Sequence, residues 1–337
     1  MSKSYLDAAD DVSEDEIIRV GVNGFGRIGR SIFRAVLENP KVELVAINDV
    51  MDPDDMRYLA KHDTVQGRLD GIELVDGSLA VGGTEVPLYD IKSPAELPWG
   101  DLDVDVALEC TGIFRTKDEA SGHLDAGAEK VLISAPPKGE KPVKQIVYGV
   151  NHDDYEGEDV VSNASCTTNS VSPVAHVLDE AFGIDSGLLT TVHAYTGSQA
   201  LIDGPMGKRR RGRAAAENIV PTTTGASTAT TDILPELEGN FEAMAVRVPT
   251  AAGSITEVVA DLQGNPGPEA INDAMETYAN GELEGSMGAT SDEIVSSDIV
   301  GWEYGSCVDL GQTSTVEGGD LAKIFAWYDN EMGYTSQ

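Results

Sequence analysis

Cysteine is scarce: Cys110, Cys166 and Cys307 are the only three in 337 residues. They are too few and too scattered for a disulfide framework or a zinc site, and they point to a reducing compartment, the cytoplasm. Cations are scarce as well, with 23 Lys and Arg against 58 Asp and Glu and a net charge of −35. Such a surface repels nucleic acid and anionic membrane, whose affinity for proteins depends on cations that displace counterions. No apolar run approaches the ~20 residues needed to span a bilayer. Residues 1–16 hold one lysine and six acids. They lack the basic start and apolar stretch of an export signal and read as an acidic tail. The rest of the chain still carries −30, so the acidity belongs to the body. Carboxylates at this density suit a salt-rich, halophilic setting in which dissolved cations screen their repulsion.

What is present is a chain long enough for two cores. IIRVGVN, from Ile17 to Asn23, is β-branched and apolar, GFGRIG interrupts it, and Ile28, Ile32, Phe33, Val36 and Leu37 then recur at helical spacing. VELVAIN (Val42 to Asn48), VDVALEC (Val104 to Cys110) and KVLISAP (Lys130 to Pro136) are further strands, with a weak helical stretch from Lys117 to Ala126. This alternation predicts an α/β fold of Rossmann type, a doubly wound parallel sheet. From Asn163 the texture changes to a helix at about Thr167 to Phe182, then the strand-like LLTTVHAY, AMAVRVPT, SITEVVADL and LAKIFAWYD. That predicts an α+β catalytic domain with a mixed or antiparallel sheet. The expected division is a tail over 1–16, a cofactor domain over 17–165 to which 318–337 returns, and a catalytic domain over 166–317.

Gly24-x-Gly26-x-x-Gly29 would be weak alone in a chain with 36 glycines. Here it follows a predicted strand and opens a predicted helix, and Asp49 stands 20 residues past Gly29. Glycines let pyrophosphate approach the N–H groups at a positive helix end, and the Asp49 carboxylate accepts from a ribose diol. The same carboxylate would repel a 2′-phosphate, which favours NAD over NADP.

Cys166 lies among small and hydroxyl residues where a helix starts, a setting in which the dipole lowers a thiol pKa. Composition alone favours an inert buried cysteine, the reading taken for Cys110 and Cys307, and only its polar neighbourhood shifts Cys166 away from it. Among His62, His123, His152, His176 and His193, only His193 sits in an apolar strand that could aim an imidazole. His176 reads as a packing or surface residue.

Nine segments then converge: NGFGRIGR (23–30), AIND (46–49), ECTGIF (109–114), ISAP (133–136), SNASCTTN (162–169), TVHAYT (191–196), RAAAENIVPTTTGA (213–226), RVPT (247–250) and WYDNEMGY (327–334). In this order, over nearly the whole chain, they resemble glyceraldehyde-3-phosphate dehydrogenase. The resemblance implies that Cys166 attacks the aldehyde of D-glyceraldehyde 3-phosphate while His193 takes the proton. The adduct gives hydride to NAD, and inorganic phosphate cleaves the thioester to 1,3-bisphosphoglycerate. It also implies phosphate or substrate contacts from Ser165, Thr167, Thr196, Arg211, Thr224, Gly225 and Arg247. Asn23, Gly24, Gly26, Arg27, Ile28, Gly29, Asp49, Thr111, Gly112 and Ser134 would line the cofactor groove, with Asn330 fixing the carboxamide. No metal is implied, and a homotetramer is.

KRRRGR, Lys208 to Arg213, would by itself suggest a nucleic-acid patch. The resemblance makes it instead a loop reaching a neighbouring subunit, with Arg211 on phosphate. Ser170 replaces a second cysteine common in the family, Met332 a usual tryptophan, and relatives continue past the position of Gln337 as a helix. Erythrose-4-phosphate dehydrogenase, which shares the cysteine and histidine but passes the acyl group to water, is the enzymatic alternative. A non-catalytic binding protein of the same fold is the other.

Overall fold

Strands rich in β-branched residues alternate with glycine turns and amphipathic helices, and each set finds a core of its own. The computed structural model describes residues 17–337; the acidic tail over 1–16 lies outside the described residues. The chain forms two units, one of residues up to 145 with 155–163, the other of 146–154 with 164–337.

The first unit carries β1 (Ile18–Asn23), α1 (Arg27–Val36), β2 (Val42–Asn48), β3 (Glu73–Val75), β4 (Ser78–Val81), β5 (Thr84–Tyr89), β6 (Val106–Glu109), β7 (Lys130–Ile133), β8 (Lys144–Gln145) and β9 (Val160–Ser162). They make one nine-stranded sheet in the order β8-β9-β7-β6-β1-β2-β5-β4-β3. From β8 to β5 the strands run parallel, and β4 and β3 fold back antiparallel. A parallel sheet is covered on both faces, which is why its central strands read as continuous apolar runs. Val20, Val22, Phe25, Phe33, Leu44 and Ile47 share a core, and Phe33 meets Phe25 edge-on at 5.8 Å between ring centroids. Each such side chain contributes about 1.5–3 kcal/mol through burial. The weak helical stretch after β6 is two short helices, Lys117–Ala120 and Gly122–Asp125, the first closed by a Thr116/Glu119 capping box.

The second unit holds α2 (Cys166–Phe182), β10 (Ile184–Ala194), β11 (Val220–Thr222), α3 (Ala226–Ile233), β12 (Phe241–Val248), β13 (Ser254–Leu262), β14 (Met287–Thr290), β15 (Ser306–Asp309) and β16 (Leu321–Tyr328). Its eight-stranded sheet runs β11-β12-β10-β13-β16-β15-β14, with Ser314–Thr315 as an added strand beside β16. The pairing is mixed: β10 is parallel to β12 but antiparallel to β13, and β13 is antiparallel to β16. Helix α2 buries Val171, Val174, Ala175 and Leu178 in a core shared with Leu189, Val258, Ala260 and Ile324.

Residues 318–337 do not return to the first unit. Residues 321–328 pair with 254–261 along the whole of β16, and Ala322, Ile324 and Ala326 drop into the second core. The boundary also falls at 163/164 rather than 165/166, and 146–154 joins the second unit. Among the described residues no helix is long and apolar enough to cross a membrane, and no cluster of His, Cys, Asp and Glu could hold a metal ion.

Candidate active site

Helix α2 starts at Cys166 because Ser165 caps it: the backbone is extended at Ser165, and its hydroxyl accepts from the Thr168 N–H at 3.1 Å. The residue before, Ala164, is fully buried with φ +51°, a left-handed conformation that costs a non-glycine residue about 1–2 kcal/mol and turns the chain sharply into the helix. Cys166 is partly open, and its Sγ lies 3.4 Å from Nε2 of His193, which is 3% exposed near the end of β10. His193 Nδ1 stands 2.7 Å from the Ala194 carbonyl. A carbonyl only accepts, whereas Arg247 Nη1, 3.0 Å from the same Nδ1, only donates; the shorter contact to the carbonyl is made by a proton on Nδ1, which turns the Nε2 lone pair to the thiol.

Burial and then the Arg247 guanidinium push the His193 pKa down to about 3. Burial pushes the Cys166 thiol up, opposed by Arg247 and by hydrogen bonds from Thr167 and the first backbone N–H groups of α2. The helix start was expected to lower the thiol pKa, but desolvation outweighs it. The pair rests as neutral thiol and neutral imidazole.

The acid stability of the fold carries this signature. In the unfolded chain His193 takes up a proton near 6.5; in the folded one it resists until about 3. Its contribution is therefore whole above pH 6.5 and drains away as pH falls toward 3. Denaturant melts at pH 7 and pH 4 should show the wild type losing about 3 kcal/mol more than His193→Asn. Parallel slopes would remove His193 as the cause.

Two guanidiniums lie close by. Arg247, on β12, donates through Nη1 to the Ala194 carbonyl at 3.0 Å and to Thr196 Oγ1 at 3.4 Å, while its buried Nε has no acceptor among the described residues. Arg211 donates to Thr222 Oγ1 (3.0 Å), Ser198 Oγ (3.2 Å) and the Thr223 carbonyl (3.2 Å). Among the described residues neither has a carboxylate partner, in a chain of −35. Burial and then the Arg247 guanidinium hold the Arg211 pKa down, burial lowers that of Arg247, and an anion would relieve both. Gly225 starts α3 with no side-chain cap, and Thr224 Oγ1 accepts from the Ala226 N–H. Asn330 lies in this unit too, its Oδ1 accepting from Ser254 at 3.2 Å.

Tyr328, near the end of β16, was not singled out from the sequence. Its buried hydroxyl joins Thr167 Oγ1 (3.0 Å) to Thr191 Oγ1 (2.8 Å), and its ring meets that of His193 edge-on at 5.8 Å. Only its place in WYDNEMGY could have flagged it. Ser170 Oγ lies 3.1 Å from Thr256 Oγ1. His176 pairs with Glu282 away from the thiol.

In the first unit the glycine turn has the shape a dinucleotide needs. A Cβ on Gly29 would lie 2.0 Å from the Gly24 carbonyl oxygen, so helix and strand touch there, whereas Gly26 faces open space at a helix start that no side chain caps. Gly24 has φ +102°, and Asp49 accepts from the Phe25 N–H (2.6 Å) and Met51 N–H (2.9 Å), which aims its carboxylate beside the turn. Arg27 pairs with Asp63. Thr111 and Gly112 follow β6, and the Ser134 N–H bonds the Glu109 carbonyl at 3.0 Å. These groups fit NAD.

Comparison with known proteins agrees with this geometry. The family model for the glyceraldehyde 3-phosphate dehydrogenase NAD binding domain matches residues 18–117, and that for the C-terminal domain matches 165–330. A glyceraldehyde-3-phosphate dehydrogenase of Haloarcula vallismortis is 61% identical over 324 residues, 96% of each chain. That of Clostridium pasteurianum is 49% identical over 325 residues, 95% of this chain and 96% of the relative. Glyceraldehyde-3-phosphate dehydrogenase 2 of Streptomyces avermitilis is 47% identical over 324 residues, again 95% and 96%. With a glycine turn shaped for NAD in one unit, a thiol facing an imidazole beside two uncompensated arginines in the other, and relatives alike over almost their whole length, the chain belongs to the glyceraldehyde-3-phosphate dehydrogenase family.

Proposed function

We propose that Cys166 and His193 are the nucleophile and the base with which the chain converts D-glyceraldehyde 3-phosphate, NAD and inorganic phosphate to 1,3-bisphosphoglycerate. The observation that carries this is the 3.4 Å approach of Sγ to an Nε2 whose lone pair is free to accept. As sulfur bonds to the aldehyde carbon, the thiol proton passes to Nε2, and the oxyanion of the adduct is met by the Cys166 N–H at the positive end of α2. When bound, NAD accepts the hydride that turns this adduct into a thioester. Phosphate oxygen then adds to the thioester carbon, the C–S bond breaks, and the sulfur recovers a proton.

A histidine held near pKa 3 is a weak base, and Arg247 is the second cause of that after burial. A phosphate ester on Arg247 and Thr196 would offset the guanidinium and raise His193's proton affinity as substrate arrives. Thr167, Arg211, Thr224 and Gly225 form the place for the attacking phosphate, and Ser165 caps the helix that carries Thr167. In the first unit Asn23, Gly24, Gly26, Arg27, Ile28, Gly29, Asp49, Thr111, Gly112 and Ser134 hold the cofactor, with Asp49 disfavouring a 2′-phosphate. Asn330 fixes the carboxamide.

The assembly we propose is a homotetramer. Leu188 on β10 and Met244 on β12 share one face of the second sheet and are 63% and 44% exposed, and Leu201, Ile202 and Ile219 are exposed as well. Apolar side chains left open in this number favour a second copy. The cytoplasm suits three unpaired thiols, and the acidic body suits high salt.

The test is NADH formation from glyceraldehyde 3-phosphate with and without inorganic phosphate, beside erythrose 4-phosphate. Turnover on the three-carbon aldehyde that depends on phosphate is expected. Equal rates without phosphate would turn the reading toward hydrolysis of the thioester.

A further inference from the structure

Between β10 and β11 the chain sets two hydroxyls, those of Thr196 and Ser198, in line between Arg247 and Arg211. Arg247 Nη1 donates to Thr196 Oγ1 at 3.4 Å, the two hydroxyl oxygens stand 2.8 Å apart, and Arg211 Nη1 donates to Ser198 Oγ at 3.2 Å. The backbone fixes this spacing: the Gln199 N–H bonds the Thr196 carbonyl at 3.0 Å, and the Ala200 N–H bonds the Arg211 carbonyl at 2.9 Å.

A hydroxyl has one proton and two lone pairs, so the direction of the central bond follows by counting. Thr196 Oγ1 accepts from Arg247 and, at a long 3.5 Å, from the Ser198 N–H. Both its lone pairs are occupied, and its proton goes to Ser198. Ser198 Oγ then accepts from Thr196 and from Arg211, which occupies its lone pairs as well. The group left over is the Ser198 proton, which meets no other acceptor among the described residues and sits on an exposed side chain beside Arg211.

We propose that Ser198 is a further phosphate-binding residue, and that its hydrogen bond with Thr196 couples the two phosphate positions, so that an anion at one end withdraws a donor from the other. A phosphate on Arg211 takes the Ser198 proton and leaves the central bond as it stands. A phosphate on Arg247 takes the Thr196 proton instead, and two oxygens 2.8 Å apart with no proton between them repel. Ser198 must then turn its proton to Thr196, displacing the long bond from its own N–H, and has none to give a phosphate on Arg211. Two protons thus serve three acceptors. With both anions in place, one hydrogen bond to a charged oxygen is lost that either anion would make alone, a weakening of about ten-fold. The product 1,3-bisphosphoglycerate carries both phosphates on one carbon chain, so the loss falls on it and favours its departure. This rests on the reading of the Arg247 and Arg211 ends as the two phosphate positions.

The test compares, in the full chain, the KM for inorganic phosphate with two aldehydes: D-glyceraldehyde 3-phosphate, and D-glyceraldehyde, which has no phosphate to place on Arg247. In the wild type that KM should be at least about ten-fold higher with the phosphorylated aldehyde, since direct repulsion between anions adds to the lost hydroxyl. Ser198→Ala removes a donor that only the unphosphorylated aldehyde leaves available. Its KM with D-glyceraldehyde should rise, and the ratio of the two KM values should fall about ten-fold. Ser198→Thr keeps the hydroxyl and should keep the ratio. A ratio unmoved in Ser198→Ala, or both KM values rising together, would overturn the coupling, as would a ratio in Ser198→Thr that falls as far as in Ser198→Ala. A wild type whose turnover ignores phosphate removes the reading of the two positions; one that needs phosphate, with the same ratio in Ser198→Ala, keeps that reading and removes Ser198.

Discussion

Turnover of Cys166→Ser is expected to fall at least about a thousand-fold, with NAD affinity within about two-fold of wild type. A serine hydroxyl would keep the approach to His193, so the geometry survives and only the chemistry is lost. An alcohol ionises far less readily than a thiol, and a base depressed to about 3 by burial and Arg247 cannot make up the difference. Steady-state rates with glyceraldehyde 3-phosphate and calorimetry with NAD read the two effects separately. Activity above a few per cent of wild type would remove Cys166 as the nucleophile. Lost NAD binding would show instead that the substitution disturbed the fold.

The second large effect concerns salt. Four chains at −35 each gather about −140 formal charges. Repulsion is already visible within one chain, where slight burial and then Asp320 and Asp185 push the Asp261 pKa up. The Debye length is about 3 Å at 1 M salt and about 10 Å at 0.1 M, so only molar salt screens neighbouring carboxylates. A tetramer in molar KCl is expected to dissociate and lose nearly all activity, reversibly at first, as salt falls below a few tenths molar. Light scattering and activity on one dilution series read both. A stable, active tetramer at ~50 mM salt would end the high-salt reading and leave the chemistry of Cys166 untouched.

The glycine turn, β1, β2 and α2 were legible because their signals are local: a motif with its strand and helix, a hydroxyl cap, an apolar run. Cys166 and His193 stood out as candidates, yet what set them beside Arg211 and Arg247 was the family resemblance, since nothing local tells one basic side chain from another. Tyr328 escaped because its contacts span 161 and 137 positions in the chain, and no window of sequence contains both partners. The placement of 318–337 missed for a related reason: an apolar strand declares its period but not its neighbour, and β16 finds β13. The direction of the thiol pKa was misjudged because a helix start is visible in sequence and the desolvation that outweighs it is not.

The order of segments has a consequence for how this protein can be cut and recombined. After β8 the chain leaves the first unit for 146–154 and comes back to lay β9 between β8 and β7 before α2 begins. No single break yields both units whole. A fragment ending at Gln145 would leave the hydrogen-bonding edge of β7 bare and β8 without β9 beside it, and an open parallel edge of apolar residues invites pairing with another chain. A fragment starting at Ala164 would lack Val147, which is 1% exposed in the second core. The lineage can therefore exchange its cofactor-binding half with a relative only by three crossovers, one on each side of a nine-residue insert and one between β9 and α2, and not by the single splice that the bare order of motifs suggests.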